Sequence, residues 1–271
     1  MSELKEPQLL SIGVMSVATN IYFEYWKKMV ESADKHSVRS DRITFFVFTE
    51  QVEKLQKFAD SLSNVDVQGF EISPYGWPDA TLLRYHIFTQ RYSAMTTDAL
   101  MHLDADMVFV SNPWERIRQL LYKNEICLVL HPGYWRIKGF DGLIFYMTHP
   151  IIAYKDFRMK IRLGGVGAWE TRPDSAAFVP KEFRKQYYCG ANWFGLRKSI
   201  GELLQVLSDQ VLSDSKNNVI AQWHDESHLN RWAASNAHNS CSPELCFDES
   251  YSQLKKLSPC IIAVRKIEKT R

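Results

Sequence analysis

DALMHLDADMVFV, residues 98–110, is the stretch on which the reading of the fold turns: an apolar run that ends in two aspartates one residue apart and resumes at once as a second apolar run. Side chains on a strand alternate faces, so Asp104 and Asp106 at i and i+2 can point the same way and share one hard cation. Mg²⁺ and Mn²⁺ favour oxygen ligands and are commonly held by one or two carboxylates, with substrate phosphates completing the shell. The bland reading is an acidic turn that closes a buried strand.

Upstream, LLSIGVMSV (Leu9 to Val17) reads as a first buried strand and RITFFVFT (Arg42 to Thr49) as a second, with a third over Val65 to Ile72. Between them Ile21 to His36 and Gln51 to Leu62 carry helical spacing, and Pro78 opens a third helix over Asp79 to Met95. Strand and helix thus alternate up to Asp98, the βαβ pattern of a mostly parallel sheet flanked by helices. Ligands of such sheets sit beyond the carboxyl ends of the strands, which is where Asp104 and Asp106 fall.

Downstream, Trp114 to Tyr122 reads as a helix and Glu125 to Leu130 as a strand that delivers His131-Pro132-Gly133-Tyr134-Trp135. The alternation then stops. From Arg136 to Pro180 glycines and aromatics follow with no clear period, which reads as an irregular excursion over a cleft or a plain surface insertion. QYYCGANWFG (Gln186 to Gly195) sets small residues between aromatics, a composition that lets a ligand approach the backbone. Helices are expected over Leu196 to Leu212 and Asp225 to Ser235, with a last strand over Ile261 to Val264 before a basic tail, residues 265–271.

The totals set bounds. The 271 residues, 45% hydrophobic and 24% charged, can bury the core of one domain, and no linker or repeat divides the chain. A formal charge of +2 gives no ground for nucleic-acid binding. Five cysteines, odd in number and without a Cys-x-x-Cys pair, fit a reduced compartment. With no signal layout and no apolar run of bilayer length, the expectation is a soluble, cytoplasmic protein. Nothing in the sequence fixes an oligomeric state.

WHDESHLN (Trp223 to Asn230) packs four ionisable side chains into five positions ahead of a helical pattern. His224 and His228 have the i, i+4 spacing of a zinc helix, but that motif needs glutamate directly after the first histidine, and Asp225 stands there. Asp225 or Ser227 could instead cap the helix. A cap alone leaves two histidines and a tryptophan unexplained.

Five strings, HLDADMVF (102–109), HPGY (131–134), YYCGANWFG (187–195), WHDESHLN (223–230) and SPELCFD (242–248), together resemble glycosyltransferase family 6, the family of the blood-group A and B transferases and the α-1,3-galactosyltransferase. The likeness runs in register from about Leu9 to the tail. It implies a single GT-A domain over residues 1–271, with an insertion at about 136–167 that is longer than the family's segment. It also implies a UDP-galactose or UDP-N-acetylgalactosamine donor, and an α-1,3 linkage made to a β-galactoside of an oligosaccharide acceptor with retention at the anomeric carbon.

Residue by residue, the resemblance makes Glu226 the catalytic carboxylate and gives Asp104 and Asp106, with Ala105 between them, the Mn²⁺ (or Mg²⁺) and diphosphate. Arg84 and Asp225 would hold the donor sugar. Val17, Ala18 and Tyr22 would hold the uracil, with Val17 where the family has an aromatic. Cys189, Gly190 and Ala191 match the segment that tells galactose from N-acetylgalactosamine, a distinction worth only about 1–3 kcal/mol per methylene-sized difference. Cys-Gly-Ala is a mixed signature that fits neither donor alone. His131, Trp223 and Asp248 would meet the acceptor, and Lys266 and Arg271 would close over the phosphates. Two competing expectations remain: a catalytically weak UDP-sugar or glycan-binding protein, and a UDP-sugar hydrolase.

Overall fold

A computed structural model describes residues 9–76 and 78–264. In chain order the strands and helices are β1 (Ile12–Val17), α1 (Tyr22–His36), β2 (Ile43–Thr49), α2 (Leu55–Ala59), β3 (Val65–Glu71), α3 (Asp79–Leu82), α4 (Arg84–Arg91), β4 (Ala99–Leu103), β5 (Met107–Phe109), α5 (Trp114–Leu121), β6 (Ile126–Leu130), α6 (Gly139–Thr148), α7 (Pro150–Leu163), β7 (Tyr188–Leu196), α8 (Arg197–Lys216), α9 (His224–Ala233), β8 (Asn239–Cys241) and β9 (Ile261–Ala263). Seven strands form one sheet in the order β3-β2-β1-β4-β7-β6-β8, and β5 pairs with β9 in a small second sheet. Within the large sheet only β7 runs against its neighbours.

Alternation along each strand feeds two apolar layers. Val14 of β1, Phe45 and Val47 of β2 and Met101 of β4 point to one face, where they meet Trp26, Met29, Val30 and Ala33 of α1. Those four lie at i, i+3, i+4 and i+7, one face of a helix, and full burial of each larger one is worth about 1.5–3 kcal/mol. Met15, Phe46, Phe48 and Leu100 point the other way, onto α4, α8 and α9 through Phe88, Leu203, Leu207 and Leu229.

The parallel strands β1, β2, β3 and β4 all end on one side, and the reversed β7 adds to that side from the opposite direction. Its antiparallel register sets Leu103 opposite Asn192, so Ala191 and Gly190 arrive beside Asp104, whose N–H donates to the Ala191 carbonyl at 3.1 Å. Leu130 pairs with Tyr188, which brings the end of β6 and His131 to the same place. Asn230 completes the convergence by clamping α9 to β7: its amide donates to the Tyr188 carbonyl at 2.8 Å and accepts the Tyr188 N–H at 2.9 Å.

The structure departs from the sequence reading in four places. Asp104 and Asp106 lie in the turn between β4 and β5, so strand alternation does not set their directions. The helix expected over Asp79 to Met95 breaks at Leu83, where the Arg84 guanidinium turns back and donates from Nε to the Thr81 carbonyl at 3.2 Å. Gln186 to Gly195 is largely the central strand β7. The irregular insertion of 136–167 is in fact mostly a helical hairpin, α6 and α7, closed at Gly164 by a left-handed turn at φ 80°. Its apolar residues gave no core-facing period because many of them are exposed.

Candidate active site

Arg84 is the hub. It is 5% exposed, and its Nη1 lies 2.7 Å from Asp104 Oδ1 and 2.6 Å from His102 Nε2, while Nε is 3.4 Å from Asp225 Oδ2. A guanidinium can only donate, so His102 accepts at Nε2 and carries its proton on Nδ1, which donates to the Met15 carbonyl at 3.1 Å. Burial, reinforced by the Arg84 charge, lowers the His102 pKa and keeps the ring neutral. For Asp104 burial works toward the neutral acid, but the Arg84 charge and its hydrogen bond outweigh it and hold the carboxyl well below the usual range. Asp104 is therefore a fixed anion with one oxygen committed to Arg84.

Trp223 and His224 begin α9 in an unusual way. Trp223 is 49% exposed, not packed in the core, and its N–H donates to Ser227 Oγ at 3.0 Å. His224 sits at φ 47°, left-handed backbone that a non-glycine residue adopts at a cost of order 1–3 kcal/mol. This turn starts the helix just ahead of Asp225 and Glu226, placing both in its first turn, where the helix N-terminus favours carboxylates. Neither residue is spent on a cap: Asp225 turns to Arg84, and Glu226 turns to β7.

Glu226 is held by two donors, the Gly190 N–H at 2.8 Å on Oε2 and the Tyr187 hydroxyl at 2.8 Å on Oε1. Burial pushes its carboxyl up to about 7 against both hydrogen bonds. Burial likewise pushes Asp225 up to about 7, with Asp104 and Glu226 adding to the rise and Arg84 opposing it. Asp225 Oδ2 has no hydrogen-bond donor among the described residues. It faces Gly190, where an added Cβ would stand 3.1 Å from it and 3.1 Å from Glu226 Cβ. The Tyr187 hydroxyl stays protonated, since burial and the Glu226 charge both raise its pKa.

Two pockets meet at this hub. One is lined by Val17, Asn20, Tyr22, Tyr75, Ala105 and Asp106, the other by His131, Gly190, Ala191, Trp223, Asp225 and Glu226, and both include Thr81, Arg84 and Asp104. In the second, His131 Nδ1 accepts the Gly133 N–H at 3.0 Å, which leaves Nε2 as the protonated nitrogen of the neutral ring. Burial lowers the His131 pKa to about 4, with Asp248 nearby acting in the opposite sense. Ala18 and Cys189 lie elsewhere: Ala18 is wholly buried in the α1 layer, and the Cys189 thiol faces Cys246 in the same layer. Lys266 and Arg271 lie outside the described residues. His224 and His228 do not converge, for His228 is buried 3.7 Å from Asp214 while His224 lines a separate pocket with Glu170 and Arg172.

Among the described residues no three histidine, cysteine or acidic side chains gather as a metal cage. Asp104 and Asp106 on the rim of the first pocket are a donor set of the other kind, two carboxylates that leave most of a hard cation's shell to a bound phosphate.

The sequence model of glycosyltransferase family 6 matches residues 1–138 and 166–270. The chain belongs to that family. The stretch left unmatched is the hairpin, α6 and α7. Among curated proteins the chain is 26% identical over 249 residues to a globoside alpha-1,3-N-acetylgalactosaminyltransferase 1 of Gallus gallus, covering 90% of this chain and 63% of the relative. It is 24% identical to a histo-blood group ABO system transferase 2 of Rattus norvegicus (91% and 67%). It is 23% identical to the O-antigen biosynthesis glycosyltransferase WbnI of Escherichia coli, where 90% of this chain covers 91% of the relative. The chain thus spans under two thirds of the globoside transferase's length.

Two residues of this family 6 site were not assigned from sequence. Tyr187 and His102 both fall inside the quoted strings, yet their roles come from the register of β7 against β4 and from the Arg84 turn. No local pattern signals either.

Proposed function

We propose that the chain is a retaining hexosyltransferase that moves galactose or N-acetylgalactosamine from a UDP-sugar to a β-galactoside acceptor in α-1,3 linkage. The observation that carries the reading is the junction of the two pockets. There a fixed anion, a buried cation and two raised carboxyls surround a glycine whose missing side chain leaves room for a sugar ring. Relatives that are named as alpha-1,3-N-acetylgalactosaminyl and blood-group transferases support the donor class and linkage.

On this reading the first pocket takes the nucleotide, with Tyr22 against the base, and the second takes the two sugars. Asp104 and Asp106 would hold Mn²⁺ or Mg²⁺ on the diphosphate, and the ion, when bound, neutralises charge on the departing UDP. Asp225 Oδ2, a buried acceptor in need of a donor, suits a donor-sugar hydroxyl, with Arg84 holding the carboxylate in place. Glu226, ionised and oriented by Tyr187 and Gly190, stabilises positive charge on the anomeric carbon or attacks it. The exposed Trp223 ring and the His131 Nε2–H offer the acceptor an apolar plate and a polar anchor.

Release of UDP from a panel of UDP-sugars, with and without a β-galactoside and in Mn²⁺ or EDTA, tests this. The expected result is release with a galactose-type donor that rises with acceptor and stops in EDTA. Metal-dependent release indifferent to every acceptor would make the chain a hydrolase, and no release from any donor would make it a binding protein.

A further inference from the structure

The hairpin of α6 and α7 lies outside the family match and carries an apolar surface that is left exposed among the described residues. On α6, Phe140, Leu143, Ile144 and Met147 stand at i, i+3, i+4 and i+7, and all are exposed, from 44% at Ile144 to 76% at Phe140. On α7, Ile151, Tyr154, Phe157 and Ile161 stand at i, i+3, i+6 and i+10, three to four residues apart, at 58–70% exposure. Side chains at these spacings share one helix face, so each helix turns a continuous apolar stripe outward. Patches of this kind on a soluble scaffold mark a protein or membrane contact.

The opposite face is anchored. Asp156 is buried and takes a two-pronged pair from Arg136, Nε at 2.6 Å and Nη2 at 2.8 Å, plus the Tyr146 hydroxyl at 2.9 Å. Arg136 in turn donates to the Gly133 and Trp135 carbonyls at 2.7 Å, tying the hairpin to the segment that carries His131. Asp141 pairs with Lys256 at 3.0 Å, and Gly142 packs so closely on the Ile137 carbonyl that a Cβ would stand 2.2 Å from it. The inner face of the hairpin is therefore tied to the body of the chain while the apolar stripe faces outward.

Charge selects the occupant. Both aspartates of the hairpin are paired, while Lys155, Arg158 and Arg162 are exposed at i, i+3 and i+7 on α7 and run alongside its apolar stripe. A two-fold pairing with a second copy would set these cationic rows against each other with both hairpin aspartates already paired, a like-charge juxtaposition that opposes the contact. An aromatic and aliphatic stripe bordered by lysine and arginine is instead the pattern of a helix lying in the plane of an anionic bilayer. We propose that α6 and α7 dock the chain on an anionic membrane surface, apolar stripe in the headgroup boundary and Lys155, Arg158 and Arg162 on the lipid phosphates. The docking stands on these residues alone. Arg136 would hold the His131 end of the cleft near that surface.

The test is flotation of the full chain with phosphatidylcholine vesicles, with and without 30 mol% phosphatidylglycerol, at about 0.1 M and about 0.5 M salt, where the screening length falls from about 10 Å to under 5 Å. The chain is expected to float with the anionic vesicles at least tenfold more than with the neutral ones, and less at high salt. Phe140→Ser/Met147→Ser/Phe157→Ser should lose flotation at both salts, and Lys155→Glu/Arg158→Glu/Arg162→Glu should lose the anionic preference. Both variants should keep wild-type circular dichroism and UDP release, since none of the six side chains lies in the cleft. Equal or absent flotation with the two vesicle types would overturn the proposal. So would a dimer in sedimentation velocity that the serine variant makes monomeric while flotation is unchanged.

Discussion

The floor of the cleft and the α6–α7 hairpin invert the usual partition in opposite ways. In the floor, Arg84, Asp225 and His102 are charged or polar yet buried; on the hairpin, Phe140, Met147 and Phe157 are apolar yet exposed. Each arrangement is unfavourable for an isolated folded chain, the first through desolvation and the second through apolar hydration. The two costs behave differently. Buried charges depend on one another, so removing one strands the rest, whereas exposed apolar side chains can be removed one by one with little effect on folding.

That contrast can be broken most directly at the hub. Arg84→Ala leaves Asp104 and Asp225 without their counter-charge and is expected to lower stability by about 3 kcal/mol in chemical denaturation at pH 8. A cost under about 0.5 kcal/mol would show that the cleft floor is not an interdependent set.

A smaller effect, of the opposite sign, is expected at Glu226. Its folded pKa is raised to about 7 from a free value near 4.3, so the stability it contributes is complete below about pH 4 and is lost as pH rises through about 7. Glu226→Gln removes that loss. The variant should be more stable than the parent by about 2 kcal/mol at pH 8, discounted for the open cleft, and nearly equal to it at about pH 4. A difference independent of pH would contradict the buried-acid account.

Tyr187→Phe deletes one of two donors on Glu226 and should slow sugar transfer about tenfold, with the rate's rise with pH displaced to higher pH because the carboxylate loses a stabilising hydrogen bond. An unmoved pH profile would assign Tyr187 a packing role only. Smallest of all, Phe140→Ser/Met147→Ser/Phe157→Ser is expected to shift unfolding by less than about 0.5 kcal/mol. A large loss there would place these side chains in a core and end the contrast.

How much of this was legible in sequence follows from range. The continuous apolar runs of β1, β2 and β4 and the apolar face of α1 are local patterns, and the structure follows them closely. Asp104 and Asp106 were visible as a pair of types, but the turn that carries them is set by β5 leaving to pair with β9, a partner more than 150 residues away in the chain. Tyr187 joins Glu226 only because β7 runs backwards beside β4, and antiparallel insertion into a parallel sheet leaves no local mark. The hairpin reads as irregular in sequence because its apolar residues define no core-facing period. Its apolar spacing is helical, but the face it defines is turned outward.

On the proposed reading, Glu226 acts at the anomeric carbon in a site that binds UDP through other residues. The most direct test of that role is Glu226→Gln assayed beside the parent for product formed from a UDP-sugar and a β-galactoside, and for UDP binding by calorimetry. Product formation should fall about a thousandfold while UDP affinity stays within about twofold. Undiminished product formation by a folded Glu226→Gln chain would contradict that role.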